Sequence, residues 1–98
     1  MRKIEEQMLS AWYGEKEFSS TNTFIIITRQ KVMELYLHHN LIAKKDLKTR
    51  KVEITNAGWP SNTTKSRLNC LPYVHIQQKN FEWFLDDKPW DGNWIEIK

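Results

Sequence analysis

The stretch Thr23–Asp46, TFIIITRQKVMELYLHHNLIAKKD, decides the fold. Its first part, TFIIIT, is β-branched and aromatic, and apolar and polar residues alternate in VMELYLH, so both segments are typical of strands. The alternation places three apolar side chains on one face of the second strand, namely Met33, Leu35 and Leu37. A tight turn at His39 and Asn40, residue types that tolerate positive φ, would lead into a third strand and pair Leu37 with Ile42. The stretch therefore predicts antiparallel hairpins with one buried face.

An amphipathic helix is predicted before this stretch. Apolar residues recur there at helical spacing, at Ile4, Met8, Ala11 and Trp12, while most of the charged residues fall on the other side. Gly14 is predicted to end this helix. One face of the helix is therefore expected to pack on the sheet.

The rest of the chain predicts another strand, a short helix and further strands. In KVEIT, Val52 and Ile54 would face the core, with Lys51, Glu53 and Thr55 facing solvent. Ser61 or Asn62 would cap the second helix, which buries the line Thr64, Leu68 and Leu71 and ends before Pro72. Alternation then resumes, with these residues expected on buried faces: Val74, Ile76, Phe81, Trp83, Leu85, Ile95 and Ile97.

These elements predict an α+β fold. We expect a single, mostly antiparallel sheet of about five to seven strands with two helices covering one face, in the order α-β-β-β-β-α-β-β-β. A chain of 98 residues, 40% of them hydrophobic, is long enough for one core and too short for two. Residues 1–98 are therefore expected to form a single domain.

The net charge and the cysteine content limit the possible partners and the cellular compartment of the protein. The formal net charge of +3 permits attraction to nucleic acid or to an acidic protein without requiring either. Cys70 is the single cysteine, which excludes an intrachain disulfide and fits a reducing cytoplasm. Charges interrupt the N-terminal segment and the run FIII is too short to cross a bilayer, so we expect no membrane association.

The start of the second helix is a candidate binding site. The first N–H groups of a helix lack internal partners and attract anions, and the residues around this start are aromatic, hydroxylated and basic: Trp59, Ser61, Asn62, Thr63, Thr64, Lys65 and Arg67. Lys65 and Arg67 are expected on opposite flanks of the buried line, where they could straddle a phosphate or a carboxylate. The alternative is a well-capped helix whose charges are simply solvated. Trp59 could likewise stack on a base or plug the end of the core.

The C-terminal segment FEWFLDDKPWDGNW predicts exposed aromatic surface. Its aromatic residues, Trp83, Phe84, Trp90 and Trp94 among them, cannot all lie on one side of a strand pair. This arrangement favours an interface, with packing beneath the first helix as the alternative. Trp83 and Trp90 are therefore further candidate partner-binding residues.

No catalytic or metal-binding constellation is evident. His38 and His39 are adjacent and would point to opposite faces of a strand, and His75 with Cys70 matches no zinc spacing. Asp86, Asp87 and Asp91 are typical turn formers. We expect neither a metal nor another cofactor, and no enzymatic activity.

Several segments resemble a group of small proteins encoded by tailed bacteriophages. They are RKIEEQMLSA, VMELYLHHNLIAK, and above all GWPSNTTKSRLNCL followed by QQKNF, so that the resemblance covers residues 1–81. His39 departs from the pattern, since glycine is expected in this hairpin. The resemblance implies origin and setting: a protein made in the cytoplasm of an infected bacterial host, where small accessory proteins redirect or block host machinery.

The sequence therefore predicts a non-catalytic phage accessory protein. Its leading partner is a host protein of nucleic-acid metabolism or antiviral defence, bound through the helix start and the aromatic C-terminal strands. The alternative is direct binding of nucleic acid, with Lys65 and Arg67 on phosphates and Trp59 on a base, and an enzyme using Cys70 ranks third. Exposed strand edges leave a homodimer open.

Overall fold

Two helices and nine strands follow one another in the computed structural model, which describes residues 2–58 and 60–97. The helices are α1 (Lys3–Gly14) and α2 (Asn62–Asn69). The strands are β1 (Phe18–Ser19), β2 (Thr23–Ile27), β3 (Val32–Leu37), β4 (Asn40–Asp46), β5 (Val52–Ile54), β6 (Ile76–Lys79), β7 (Glu82–Leu85), β8 (Lys88–Pro89) and β9 (Ile95–Ile97). The predicted α+β class and the order of its elements are confirmed.

The strands form two antiparallel sheets. The main sheet has the order β1-β2-β3-β4-β5-β9, and the small sheet has the order β6-β7-β8. The predicted antiparallel pairing is confirmed, but the strands are divided between two sheets instead of the single sheet predicted, because β6, β7 and β8 pair among themselves. The last strand, β9, joins the main sheet, where Ile95 pairs with Ile54 and Ile97 pairs with Val52. Ile97 is half-buried and packs against the core, but Ile95, which was predicted to be buried, is 39% exposed at the sheet edge.

The central hairpin is confirmed, but its turn lies one residue earlier than predicted. His38 and His39 occupy the turn, with φ of 50° and 70°, and Leu37 pairs with Asn40. The predicted pairing of Leu37 with Ile42 is wrong, because the earlier turn sets Leu37 opposite Asn40. Further along, Ile42 is an extra residue in β4, between the pairs Tyr36–Leu41 and Leu35–Ala43. This bulge lets Ile42 and its neighbour Ala43 both lie buried.

Both helices pack on the same face of the main sheet. Met8 and Trp12 of α1 are buried as predicted, and so are Thr64, Leu68 and Leu71 on the α2 side. The hydrophobic core joins them to side chains of both sheets, including Ile25, Met33, Leu35, Leu37, Ile42, Ile54, Val74, Ile76, Trp83 and Leu85. No helix among the described residues is long and apolar enough to span a membrane.

Thr55, predicted to face solvent, is buried instead. Its hydroxyl donates a hydrogen bond to the carbonyl of Gly92 at 2.6 Å, and the N–H of Asn56 donates to the same carbonyl at 2.9 Å. Gly92 has φ of 88°, and a Cβ atom there would overlap the Asn56 side chain. These contacts fix the loop between β8 and β9 against the end of β5, which places Trp90 and Asp91 beside Asn56.

Candidate functional site

The predicted helix start is well capped. Ser61 is the N-cap of α2, and its hydroxyl accepts a hydrogen bond from the N–H of Thr64 at 3.1 Å. Asn62 is exposed, and Thr63 lines a pocket of about 480 Å³ with Ser61, Thr64 and the β3–β4 turn. Trp59, the aromatic member of the predicted site, lies outside the described residues.

Arg67 does not reach solvent, so the prediction that it flanks the helix start as a free cation is wrong. Its side chain is 2% exposed, and its Nη1 donates to Oε2 of Glu5 in α1 at 2.7 Å. Its Nε donates to the hydroxyl of Thr23 in β2 at 3.2 Å. Arg67 faces the core because α1 supplies a carboxylate that compensates its charge, 62 positions away in sequence.

Glu5 is held in its charged form by these contacts. Burial raises the pKa of its carboxyl, but hydrogen bonds from Ser66, from the Arg2 backbone and from Arg67 outweigh burial and leave the pKa below its usual value. The serine hydroxyl donates to the same Oε2 that accepts from Arg67. The ion pair and its hydrogen bonds therefore join α1, α2 and β2, and they have a structural role.

Two polar contacts join α2 to the small sheet. The side chain of Asn69 accepts from the N–H of Ile76 at 2.7 Å and donates to the carbonyl of Ile76 at 3.1 Å, as a neighbouring strand would. Lys65 donates from Nζ to Oε1 of Gln78 at 3.2 Å. Lys65 is thus partly committed to the fold, and the small sheet is held beside the start of α2.

A groove of about 520 Å³ lies between the small sheet and the segment that precedes α2. We call it the aromatic groove, and its lining residues are Asn56, Pro60, Phe81, Glu82, Trp83, Pro89, Trp90 and Asp91. It brings together two predicted partner-binding residues, Trp83 and Trp90, with the segment next to the predicted helix start. Asn56 and Pro60 come from the segment before α2, whereas Ser61, Thr63 and Thr64 of the predicted helix start line a different pocket.

Trp83 and Trp90 form the floor of the aromatic groove. Both are nearly buried, and their rings are tilted with centroids 6.0 Å apart. The indole N–H of Trp90 donates to the carbonyl of Asn93 at 3.0 Å, whereas the buried indole N–H of Trp83 has no partner among the described residues. A buried donor without an acceptor costs about 1–3 kcal/mol, so the floor keeps an unused hydrogen-bonding group.

Phe81 forms the outer edge of the aromatic groove. It was predicted to be buried with Trp83 and Leu85, but it is 97% exposed. Phe81 is the second residue of the two-residue β6–β7 turn, with φ of 67° after φ of 51° at Asn80. Glycine usually occupies this position, because a side chain is disfavoured at positive φ. The asparagine before it was the available signal for a turn at this point.

The edge of the aromatic groove is acidic. Glu82 and Asp91 line it and are exposed, and none of the described lining residues is basic. Asp91 is held in place by hydrogen bonds from the backbone and side chain of Asn93, at 3.0 and 2.9 Å. Aromatic faces bordered by carboxylates attract cations and repel phosphates.

Cys70, the residue of the third-ranked hypothesis, has a thiol of low nucleophilic reactivity. Burial, followed by the neighbouring Glu5 carboxylate, raises the pKa of its thiol to about 11, so the nucleophilic thiolate is scarce at neutral pH. The thiol donates to the carbonyl of Ser66 at 3.2 Å. Among the described residues, no three His, Cys, Asp or Glu side chains are grouped as metal ligands.

The fold and the site define a small α+β protein with an exposed aromatic groove and a polar core linkage between its helices. The chain belongs to the family described as Kyanoviridae Gp96 protein, whose model matches residues 1–96, and the family is one of phage proteins. The phage origin predicted from the sequence is thereby confirmed. No curated protein and no solved structure matches the chain.

Proposed function

We propose that this protein is a non-catalytic phage accessory protein that binds a host protein through the aromatic groove in the cytoplasm of the infected bacterium. The supporting observation is Phe81, an aromatic side chain held 97% exposed at positive φ beside two tryptophans. Such a conformation is costly for the fold and clusters at functional sites. Aromatic residues also dominate the binding energy of protein interfaces. The target in this proposal is a protein of nucleic-acid metabolism or antiviral defence, which the bound phage protein modulates.

The chemistry of the groove favours a cationic segment of the partner. A lysine or arginine side chain could lie across the aromatic faces, with Glu82 and Asp91 close to its charge. A backbone carbonyl of the same segment would suit the unpaired indole N–H of Trp83, once a small shift of the floor exposes it. Both features select a polypeptide with basic residues over an anionic ligand.

Nucleic acid at the helix start has weaker support. Arg67, one of the two cations on which that hypothesis rests, is buried against Glu5, and Lys65 is bonded to Gln78. The carboxylates of Glu82 and Asp91 beside the groove would repel a phosphate backbone. Most of the positive charge that direct nucleic-acid binding would need at the start of α2 is therefore already engaged within the protein.

The proposal is tested by affinity capture from lysate of infected cells, using the wild-type chain and three variants. Phe81→Gly removes the exposed ring, Glu82→Lys reverses charge at the groove, and Tyr73→Ala removes another exposed aromatic that does not line it. We expect one host protein to be captured by the wild-type chain and by Tyr73→Ala, and to be lost with Phe81→Gly and Glu82→Lys. Its complex with the purified chain should then be reconstituted from the two components.

Equal capture of the same protein by all four chains would overturn the proposal, because the groove would then be irrelevant to binding. Self-association of the purified chain that Phe81→Gly abolishes would assign the groove to a homodimer instead. Binding of a short oligonucleotide that Glu82→Lys strengthens and Phe81→Gly abolishes would assign the groove to nucleic acid.

A further inference from the structure

A second charged surface lies at the other end of the main sheet, in the loops that join β2 to β3 and β4 to β5. We call residues 28–31 and 47–51 the basic loop pair. Five exposed cations belong to it, namely Arg29, Lys31, Lys48, Arg50 and Lys51. The seven-residue strand β4 runs from the end near α2 to these loops, which places the two ends about 20 Å apart.

The positive charge of the chain is concentrated in this region. Residues 29–51 contain seven Lys and Arg against two Asp and Glu, a net charge of +5. The whole chain carries +3, so the remaining residues together carry −2. The basic loop pair is therefore the strongly cationic part of a protein whose other parts are slightly acidic.

The loops are ordered by their own backbone contacts. The N–H of Leu47 donates to the carbonyl of Lys31 at 3.0 Å, which holds the two loops side by side. The carboxylate of Asp46 accepts from the N–H groups of Lys48 and Thr49 at 2.8 and 3.2 Å, and these bonds lower the pKa of Asp46. The cations are thus presented from fixed backbone positions, which reduces the entropy lost on binding.

Four of the five cations are available to a ligand. Arg29, Lys31, Lys48 and Lys51 form no ion pair with any described carboxylate, whereas Arg50 pairs with Glu15 of the segment after α1. The sequence of both loops contains no aromatic residue, and the apolar Leu47 is half-buried. The loops therefore lack the exposed apolar anchors that strengthen binding to a membrane surface and that dominate protein hot spots.

We propose that the basic loop pair binds the phosphate backbone of double-stranded DNA without reading its sequence. The inner ends of the two loops are in contact, and their centres lie two strand spacings apart in the sheet, about 10 Å, which is close to the roughly 12 Å width of the DNA major groove. Single strands are usually held by aromatic stacking, and the basic loop pair offers none. This binding would use a different surface from the aromatic groove. The DNA proposal can therefore be confirmed or refuted independently of the proposed host-protein contact.

The test is fluorescence anisotropy of a labelled duplex between about 50 and about 200 mM salt, with the wild-type chain and two double variants. Lys48→Gln with Lys51→Gln removes two cations of the basic loop pair, and Lys79→Gln with Lys88→Gln removes two exposed cations of the small sheet as the matched control. Each neutralised phosphate contributes about 0.9 to the slope of log affinity against log salt. We expect the loop variant to lower this slope by about 2 and the control variant to leave it unchanged, for duplexes of unrelated sequence.

Absence of binding at about 50 mM salt, or equal loss in the two double variants, would overturn the proposal. So would tighter binding to a single strand of the same length, to an RNA duplex, or to vesicles of anionic phospholipid. Retention of DNA binding by Phe81→Gly would support the independence of the two surfaces. Circular dichroism of each variant confirms that the fold is intact before affinities are compared.

Discussion

Arg67 of α2 and Glu5 of α1 form an ion pair in the core, with Nη1 and Oε2 2.7 Å apart and both side chains almost fully buried. A pair of this kind can be strongly coupled to folding, because removing one member leaves an uncompensated charge in the interior. The ion pair also affects how binding data for Arg67 variants must be interpreted. Reversing the charge of Arg67 would damage the fold itself, so loss of binding in such a variant would say nothing about a contact surface.

Removing Arg67 should therefore destabilise the protein. We expect Arg67→Ala to lower the free energy of unfolding by about 3–5 kcal/mol, measured by urea denaturation. Lys65→Ala, on the partly exposed side of the same helix, should change it by less than about 1 kcal/mol. The double variant Glu5→Gln with Arg67→Met should recover much of the loss, since it removes both charges. An effect of Arg67→Ala no larger than that of Lys65→Ala would contradict the structural role.

The same pair should make stability depend on acid pH. The pKa of Glu5 in the folded protein lies below its usual value of 4.5, so the folded state favours the charged carboxylate. Its stabilising contribution is fully present above pH 4.5 and is lost as the pH falls through the lowered pKa. Urea denaturation over this range should show stability falling in acid, with a smaller fall in Glu5→Gln. The pKa of Asp46 is also lowered, so Asp46 should contribute to the loss of stability in acid. The variant Asp46→Asn measures that contribution separately.

Phe81 should separate stability from binding. Phe81→Gly relieves a side chain at φ of 67°, so the free energy of unfolding should stay unchanged or rise by about 1 kcal/mol while capture of the host protein is lost. His39→Gly is the matched control, because His39 is the second residue of another two-residue turn, with φ of 70°. This control should keep full binding. A large loss of stability in Phe81→Gly would show that the ring serves packing.

Cys70 should react slowly with thiol reagents in the folded protein. Burial raises the pKa of its thiol from 9.0 to about 11, which lowers the thiolate fraction near neutral pH by about 100-fold. The rate of labelling by a chromogenic disulfide should rise by at least this factor in concentrated urea. The β-branched variant Cys70→Val should retain the circular dichroism of the native fold. Equally fast labelling of native and unfolded protein would contradict the protection of this partly buried thiol.

Local sequence patterns correctly predicted the buried face of α1, the cap of α2 and the antiparallel pairing of the central strands. The spacing of Met8 and Trp12 predicts the buried face of α1, and Ser61 was correctly one of two predicted caps of α2. The α+β class and the antiparallel pairing follow from the alternation in β3 and β4. Signals of this kind depend on neighbours within one or two turns, and they are readable without the rest of the fold.

The failures have a common physical cause, which is contact between distant parts of the chain. Arg67 is buried because the Glu5 carboxylate of α1 compensates its charge. The sequence of α2 does not indicate that this distant carboxylate is its partner. The β3–β4 turn was misplaced because His38 adopts positive φ as readily as His39, and the bulge at Ile42 restores the buried face. Phe81 followed the alternation of a strand, but the turn at Asn80 ends that alternation.

The opposite placement of the aromatic groove and the basic loop pair has a consequence for assembly. Strand β4 runs between the two ends and pairs with β3 on one side and with the three residues of β5 on the other, so neither end can approach the other. Ligands at the two ends would not collide, and each could be titrated while the other is saturated. Under the two proposals taken together, a single copy of this small protein would be a rigid spacer between its protein partner and the bound duplex.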